Sequence, residues 1–80
     1  MIPVNELLNK IKYDKSENPE EYEIYYYDRK LDSNLIFKLN NIMQMDGHFV
    51  IIIKSNHEVA LPLNRIKEVR RQNQIIWKRE

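Results

Sequence analysis

The chain has no cysteine. That excludes disulfides, thiolate nucleophiles and Cys-based zinc sites, and it makes a reducing cytoplasm the natural expectation. It has one glycine, Gly47, so no Gly-rich loop can cradle a phosphate on backbone amides. Long apolar runs are missing as well. The longest is Phe49-Val50-Ile51-Ile52-Ile53, far short of the roughly 20 residues a membrane helix needs. The N-terminus does not have the basic-then-apolar pattern of a signal peptide, and no membrane contact is expected. There is no internal repeat, no low-complexity segment and no linker beyond the stretch Lys15–Glu20.

What remains is a folded composition. Hydrophobic residues make up 42% and charged residues 31% of 80 residues, which points to a single domain over residues 1–80 rather than to disorder. A domain of this size buries only about 60–65% of the surface its unfolded chain exposes, so it has one core and no deep, walled active site. The net charge of +1 hides an asymmetry. Residues 1–53 carry six Lys/Arg against nine Asp/Glu, a balance of −3, and residues 54–80 carry seven against three, a balance of +4. A basic C-terminal third favours an anionic partner.

Val4, Leu7, Leu8 and Ile11 recur at helical spacing and predict a helix over Ile2–Lys12, with Pro3 in its first turn. Alternation predicts strands at Glu21–Arg29, Leu35–Leu39, Ile42–Met45, His48–Lys54, Glu58–Leu61, Lys67–Arg71 and Gln74–Lys78. Both faces of His48–Lys54 are apolar, as in a central strand. Asp46-Gly47 reads as a two-residue hairpin turn, and Leu63–Ile66 after Pro62 as a single helical turn. The fold expected is α+β, a small antiparallel β-sheet or barrel packed by one N-terminal helix.

Three clusters place arginine at the end of an apolar run: Tyr26-Tyr27-Asp28-Arg29, Pro62-Leu63-Asn64-Arg65-Ile66 and Trp77-Lys78-Arg79. Arginine offers a planar fork of donors suited to phosphate or carboxylate. Asp28-Arg29 reads either as a self-contained ion pair or as part of a ligand clamp. Asn64 can cap the turn set by Pro62 and leave Arg65 to project. Trp77 is either core or a stacking platform for a base. Tyr25 and Tyr27 share the face opposite Tyr26, as packing or as an exposed interface patch. Catalysis has no candidate constellation. His48-Phe49-Val50 and His57-Glu58-Val59 lack the hydroxyl of the paired His-x-Thr or His-x-Ser motifs of cyclic phosphoesterases, and neither histidine has metal-ligand company. No metal or other cofactor is expected.

In order and spacing these segments resemble the RNA cyclic-group-end recognition domains, a family of small, mostly archaeal proteins whose domain also occurs fused to RNA-processing domains. The likeness runs from Ile2-Pro3, Leu7-Leu8, Ile11 and Asp14 through Tyr22, Ile24, Tyr26 and Asp28-Arg29 to Pro62-Leu63, Arg65-Ile66, Trp77 and Arg79. The family usually carries His in the Pro-Leu-His-Arg-Ile segment, where this chain has Asn64. Asparagine can donate a hydrogen bond but cannot shuttle a proton. The resemblance therefore implies a non-catalytic module that binds RNA 3′ ends by a terminal phosphate, with the 2′,3′-cyclic form as one candidate. Arg29, Arg65 and Arg79 would hold phosphate oxygens. Asn64 and Asp28 would contact ribose or orient the arginines, Tyr26 or Trp77 would stack on the terminal base if exposed, and Asp14 and Lys15 would join from the loop after the helix. Two other readings stay open: a protein-interaction module among RNA-processing proteins, and a cyclic-phosphate hydrolase.

Overall fold

The computed structural model describes residues 2–79. Val4–Tyr13 form helix α1, with Pro3 in extended backbone just before it. The missing proline N–H costs nothing there, because amides of the first turn have no intrahelical partner. Val4, Leu8 and Ile11 are its buried stripe. The chain leaves the helix at Asp14 and makes one 3₁₀ turn at Pro19–Glu21, capped by the Asn18 side chain.

Seven strands follow: β1 (Tyr22–Asp28), β2 (Ser33–Lys38), β3 (Ile42–Met45), β4 (Phe49–Lys54), β5 (His57–Pro62), β6 (Ile66–Arg71) and β7 (Gln74–Lys78). The architecture is α+β as expected, but the strands form neither one sheet nor a barrel. They divide into a four-stranded sheet of order β2-β1-β6-β7 and a three-stranded sheet of order β3-β4-β5. All pairings are antiparallel. Alternation tells which face of a strand is apolar, not which strand it pairs with. The division is made by two 3₁₀ turns, Leu39–Asn41 and Leu63–Arg65, through which the chain leaves the larger sheet and returns to it.

Helix, both sheets and both crossover turns meet in one core. Leu8, Ile24, Leu39, Val50, Ile52, Ile66 and Val69 are essentially without solvent contact. The β4–β5 and β6–β7 hairpins turn on Ser55-Asn56 (φ 52° and 64°) and Gln72-Asn73 (φ 49° and 68°). Positive φ at both central residues is what a type I′ turn requires, and asparagine tolerates it better than most residues. The β3–β4 connection departs from the expected Asp46-Gly47 turn. Asp46 closes the loop as its first residue, its amide donating to the Phe49 carbonyl at 3.0 Å. Its carboxylate accepts the amides of His48 and Phe49, each at 2.7 Å. A side-chain acceptor thus replaces the backbone twist that glycine would supply, and Gly47 does not adopt positive φ.

Candidate functional site

Sheet topology alone brings the three arginine clusters to one end. β1 and β7 each run antiparallel to β6, so their C-termini point the same way. The crossover turn Leu63–Arg65 enters β6 at that same end. Arg29 follows β1, Arg65 precedes β6 and Arg79 follows β7. With strands about 4.8 Å apart, the strands that carry them span roughly 10 Å across the sheet, while along the strands Arg79 sits level with Lys67 and Arg29 lies three residues past the Tyr26–Ile66 pair.

Arg29 and Arg65 line one cleft of about 340 Å³ together with Tyr27, Pro62, Asn64 and Lys67. Lys67 reaches it through an irregularity. Tyr25 lies opposite Glu68 and Tyr26 opposite Ile66, so Lys67 is the extra residue of a bulge, a device that re-aims a side chain. Among the described residues the lining contains three cations and no carboxylate. Among the described residues the ion pairs are Arg70–Glu68 at 2.8 Å and Arg71–Glu21 at 3.3 Å; Arg29, Arg65 and Lys67 have none. Tyr27 stands at the rim. Its hydroxyl donates to Asp32, and this bond raises the Tyr27 pKa above the ordinary tyrosine value.

The other expected site residues have different surroundings. Arg79 is half-buried and works on the backbone: Nε donates to the Ile66 carbonyl at 2.9 Å and Nη2 to the Leu63 carbonyl at 3.0 Å. It clamps the turn that carries Arg65, which leaves Nη1 as the guanidinium nitrogen with no protein partner among the described residues. Trp77 and Tyr26 do not meet the condition of exposure. Trp77 is 7% exposed and its indole N–H donates to the Ile2 carbonyl at 2.9 Å, while Tyr26 is 4% exposed. Tyr26 packs edge-on against Phe37 at 5.4 Å. Both rings are core, because their strand faces point at α1 and the smaller sheet. The Asp28 carboxylate forms no ion pair with Arg29. It accepts the amides of Lys30 and Leu31 at 2.9 and 3.1 Å and so shapes the β1–β2 turn. Asp14 lies at the far end of α1, about 16 Å along the helix axis from Pro3, and Lys15 follows it. The amide and hydroxyl of Ser16 donate to the Asp14 carboxylate and hold its pKa below the ordinary value. Neither Asp14 nor Lys15 lines the cationic cleft. On the outer face of the larger sheet, the Tyr25 ring is covered by the Arg70 guanidinium at 4.5 Å rather than left open.

Residues 1–79 match the family model described as the MJ1316 RNA cyclic group end recognition domain. The chain belongs to that family. Comparison with the curated proteins and with the solved structures finds no match.

In this member of the MJ1316 domain family a second, larger groove of about 650 Å³ adjoins the cationic cleft, and Pro62 and Asn64 line both. Its other walls include Gly47, His48, Phe49 and Arg79. Sequence reasoning missed Lys67, His48 and Phe49. Lys67 could have been found only from the bulge, which appears when β6 is paired with β1. His48 and Phe49 belong to the smaller sheet, whose placement no local signal gives. The two histidines are not partners. His57 pairs with Lys54 at one end of β4 and His48 precedes its other end, a separation of roughly 20 Å along the strand. Among the described residues no cluster of three or more His, Asp or Glu is placed to hold a metal ion, and no helix is long and apolar enough to cross a membrane.

Proposed function

We propose that this chain is a non-catalytic RNA-binding module that holds a 3′-terminal phosphate, 2′,3′-cyclic or linear, in the cleft lined by Arg29, Arg65 and Lys67. The observation that carries the reading is the absence, among the described residues, of any carboxylate partner for those three cations, where Arg70 and Arg71 are each paired with a glutamate. Cations crowded without counter-charge repel one another, and an anion relieves that cost. The name of the family supplies the kind of anion. Asn64, on the ridge beside the cleft, can donate to a phosphate or ribose oxygen. Arg79 contributes indirectly by fixing the carbonyls around which Asn64 and Arg65 turn. Holding without cutting is supported by Asn64, which cannot exchange protons, and by the separation of His48 from His57.

The test is a titration of short RNAs ending in cyclic phosphate, linear phosphate or hydroxyl, at two salt concentrations. The phosphate-ended RNAs should bind about tenfold more tightly than the hydroxyl-ended one. One terminal phosphate neutralised on a single strand implies a log–log salt slope near about −0.7. Equal affinity for all three ends defeats end recognition, and a slope near zero defeats phosphate binding altogether. The cyclic phosphate should be recovered intact after incubation; its hydrolysis would overturn the non-catalytic reading.

A further inference from the structure

The β3–β4 hairpin belongs to the smaller sheet, yet it is fastened to the turn that carries Asn64 and Arg65. The Leu63 amide donates to the His48 carbonyl at 2.9 Å. Inside the hairpin, Asp46 holds the amides of His48 and Phe49. The larger groove is therefore a fixed companion of the cationic cleft, with Pro62 and Asn64 as their common wall. Phe49 is 45% exposed on that hairpin. A single exposed aromatic needs no explanation by itself. Its position beside the phosphate cleft does, because unpaired bases are gripped by stacking on aromatic rings.

Gly47 adds an independent observation. Its φ is not positive, and a Cβ built on it meets nothing within 4 Å. Neither backbone nor packing requires glycine there, so the fold would accept a side chain. What glycine does is leave the groove wall bare.

We infer that the larger groove is the subsite for the terminal nucleoside, with Phe49 as the stacking platform for its base, His48 and Asn64 as polar contacts, and Gly47 as the gap through which the base enters. This rests on the cationic cleft being the phosphate site: a ligand anchored there reaches across the Pro62–Asn64 wall with the group bonded to that phosphate, its own ribose and base. The groove volume lies within the range of small-molecule sites, and among the described residues its lining includes no carboxylate to repel an RNA end.

The test compares two 3′-phosphorylated RNAs that differ only in whether the last residue carries a base or is an abasic sugar. The unmodified protein should bind the base-bearing RNA about tenfold more tightly, the size of one stacking contact. Phe49→Ala and Gly47→Leu should abolish that preference, leave affinity for the abasic RNA within about twofold, and melt within a few degrees of the parent. Arg65→Ala should weaken both RNAs alike. The nucleoside subsite is overturned if the parent does not distinguish the two RNAs, or if both groove variants keep the preference. The phosphate reading then still stands, provided Arg65→Ala weakens binding. If Arg65→Ala has no effect on either RNA, the phosphate reading itself has failed.

Discussion

The two crossovers between the sheets are built alike and share three of six residues. Phe37-Lys38-Leu39-Asn40-Asn41-Ile42 and Leu61-Pro62-Leu63-Asn64-Arg65-Ile66 each run from a strand through one 3₁₀ turn into the next strand. In both, the isoleucine amide donates to the leucine carbonyl, and leucine and isoleucine are buried. A cation from elsewhere caps each isoleucine carbonyl, Lys12 on Ile42 and Arg79 on Ile66, both at 2.9 Å. Where the sequence reads as free of repeats, the structure holds a very short one, the Leu-Asn-x-Ile of a reused turn. The differences lie in what is added to the second copy. Pro62 replaces Lys38, Arg65 replaces Asn41, and a forked guanidinium gripping two carbonyls replaces a single ammonium. The fold needs the turn at both places; the candidate site is built on one.

The largest expected effect tests what the two turns share. Leu39→Ala and Leu63→Ala each remove a buried anchor and should cost about 3 kcal/mol, within the range for leucine truncation in cores. Leu39, fully enclosed, should lose somewhat more than Leu63 at 7% exposure. Chemical denaturation measures both. A cost below about 1 kcal/mol at either leucine would mean that turn is not an anchor and the likeness is superficial.

The clamps come next. Arg79→Ala leaves two carbonyls without their donor and should cost about 2 kcal/mol, whereas Lys12→Ala leaves one and should cost about 1 kcal/mol. Arg79→Lys should recover less than half of the loss, because an ammonium cannot reproduce the fork. Full recovery by lysine would make the two clamps equivalent and remove the argument that the second turn is held with greater precision.

The contrast between the turns also measures what could be read from the sequence. Helix α1 and the strands were legible because their apolar spacing is regular and their turns carry asparagine, serine or aspartate. The convergence of Arg29 and Arg65 was not, since it follows from strand order, and order depends on where the chain changes sheets. Leu39 illustrates this. It continues the alternation Leu35, Phe37, Leu39 and reads as strand, but it opens the first crossover turn instead. Ile75 is another case. Alternation pairs it with Trp77 on one face, yet it is exposed while Trp77 is core, because the β6–β7 register slips between Val69 and Arg70. Burial of Tyr26 and Trp77 was the ordinary reading of their spacing. The stacking role proposed for them was conditional on exposure, which spacing alone does not decide.

Binding separates the turns where stability does not. Arg65→Ala should weaken phosphate-ended RNA about tenfold and make the salt slope shallower. Asn41→Ala, at the equivalent place in the first crossover, should change neither. Equal losses at both positions would show that RNA contacts the two turns alike, and the asymmetry would then lie elsewhere.

The smallest effect concerns acid. The amides of His48 and Phe49 hold the Asp46 carboxyl below the ordinary carboxylate pKa of 3.8. A depressed folded-state pKa contributes stability that is present above the unfolded value and disappears as pH falls through the folded one. The hairpin should therefore be unaffected above about pH 5 and loosen below pH 4. Because the His48 carbonyl receives the Leu63 amide, the loosening should pass to the second crossover and not to the first. Amide exchange below pH 4 should quicken at His48, Phe49 and Leu63 while Ile42, bonded within the first turn, stays protected. Asp46→Asn, which keeps an acceptor oxygen but does not titrate, should remove the pH dependence at those three amides. If Ile42 opened together with Leu63, the two turns would be one cooperative unit, and rigidity would not distinguish the turn that lines the candidate cleft from the other.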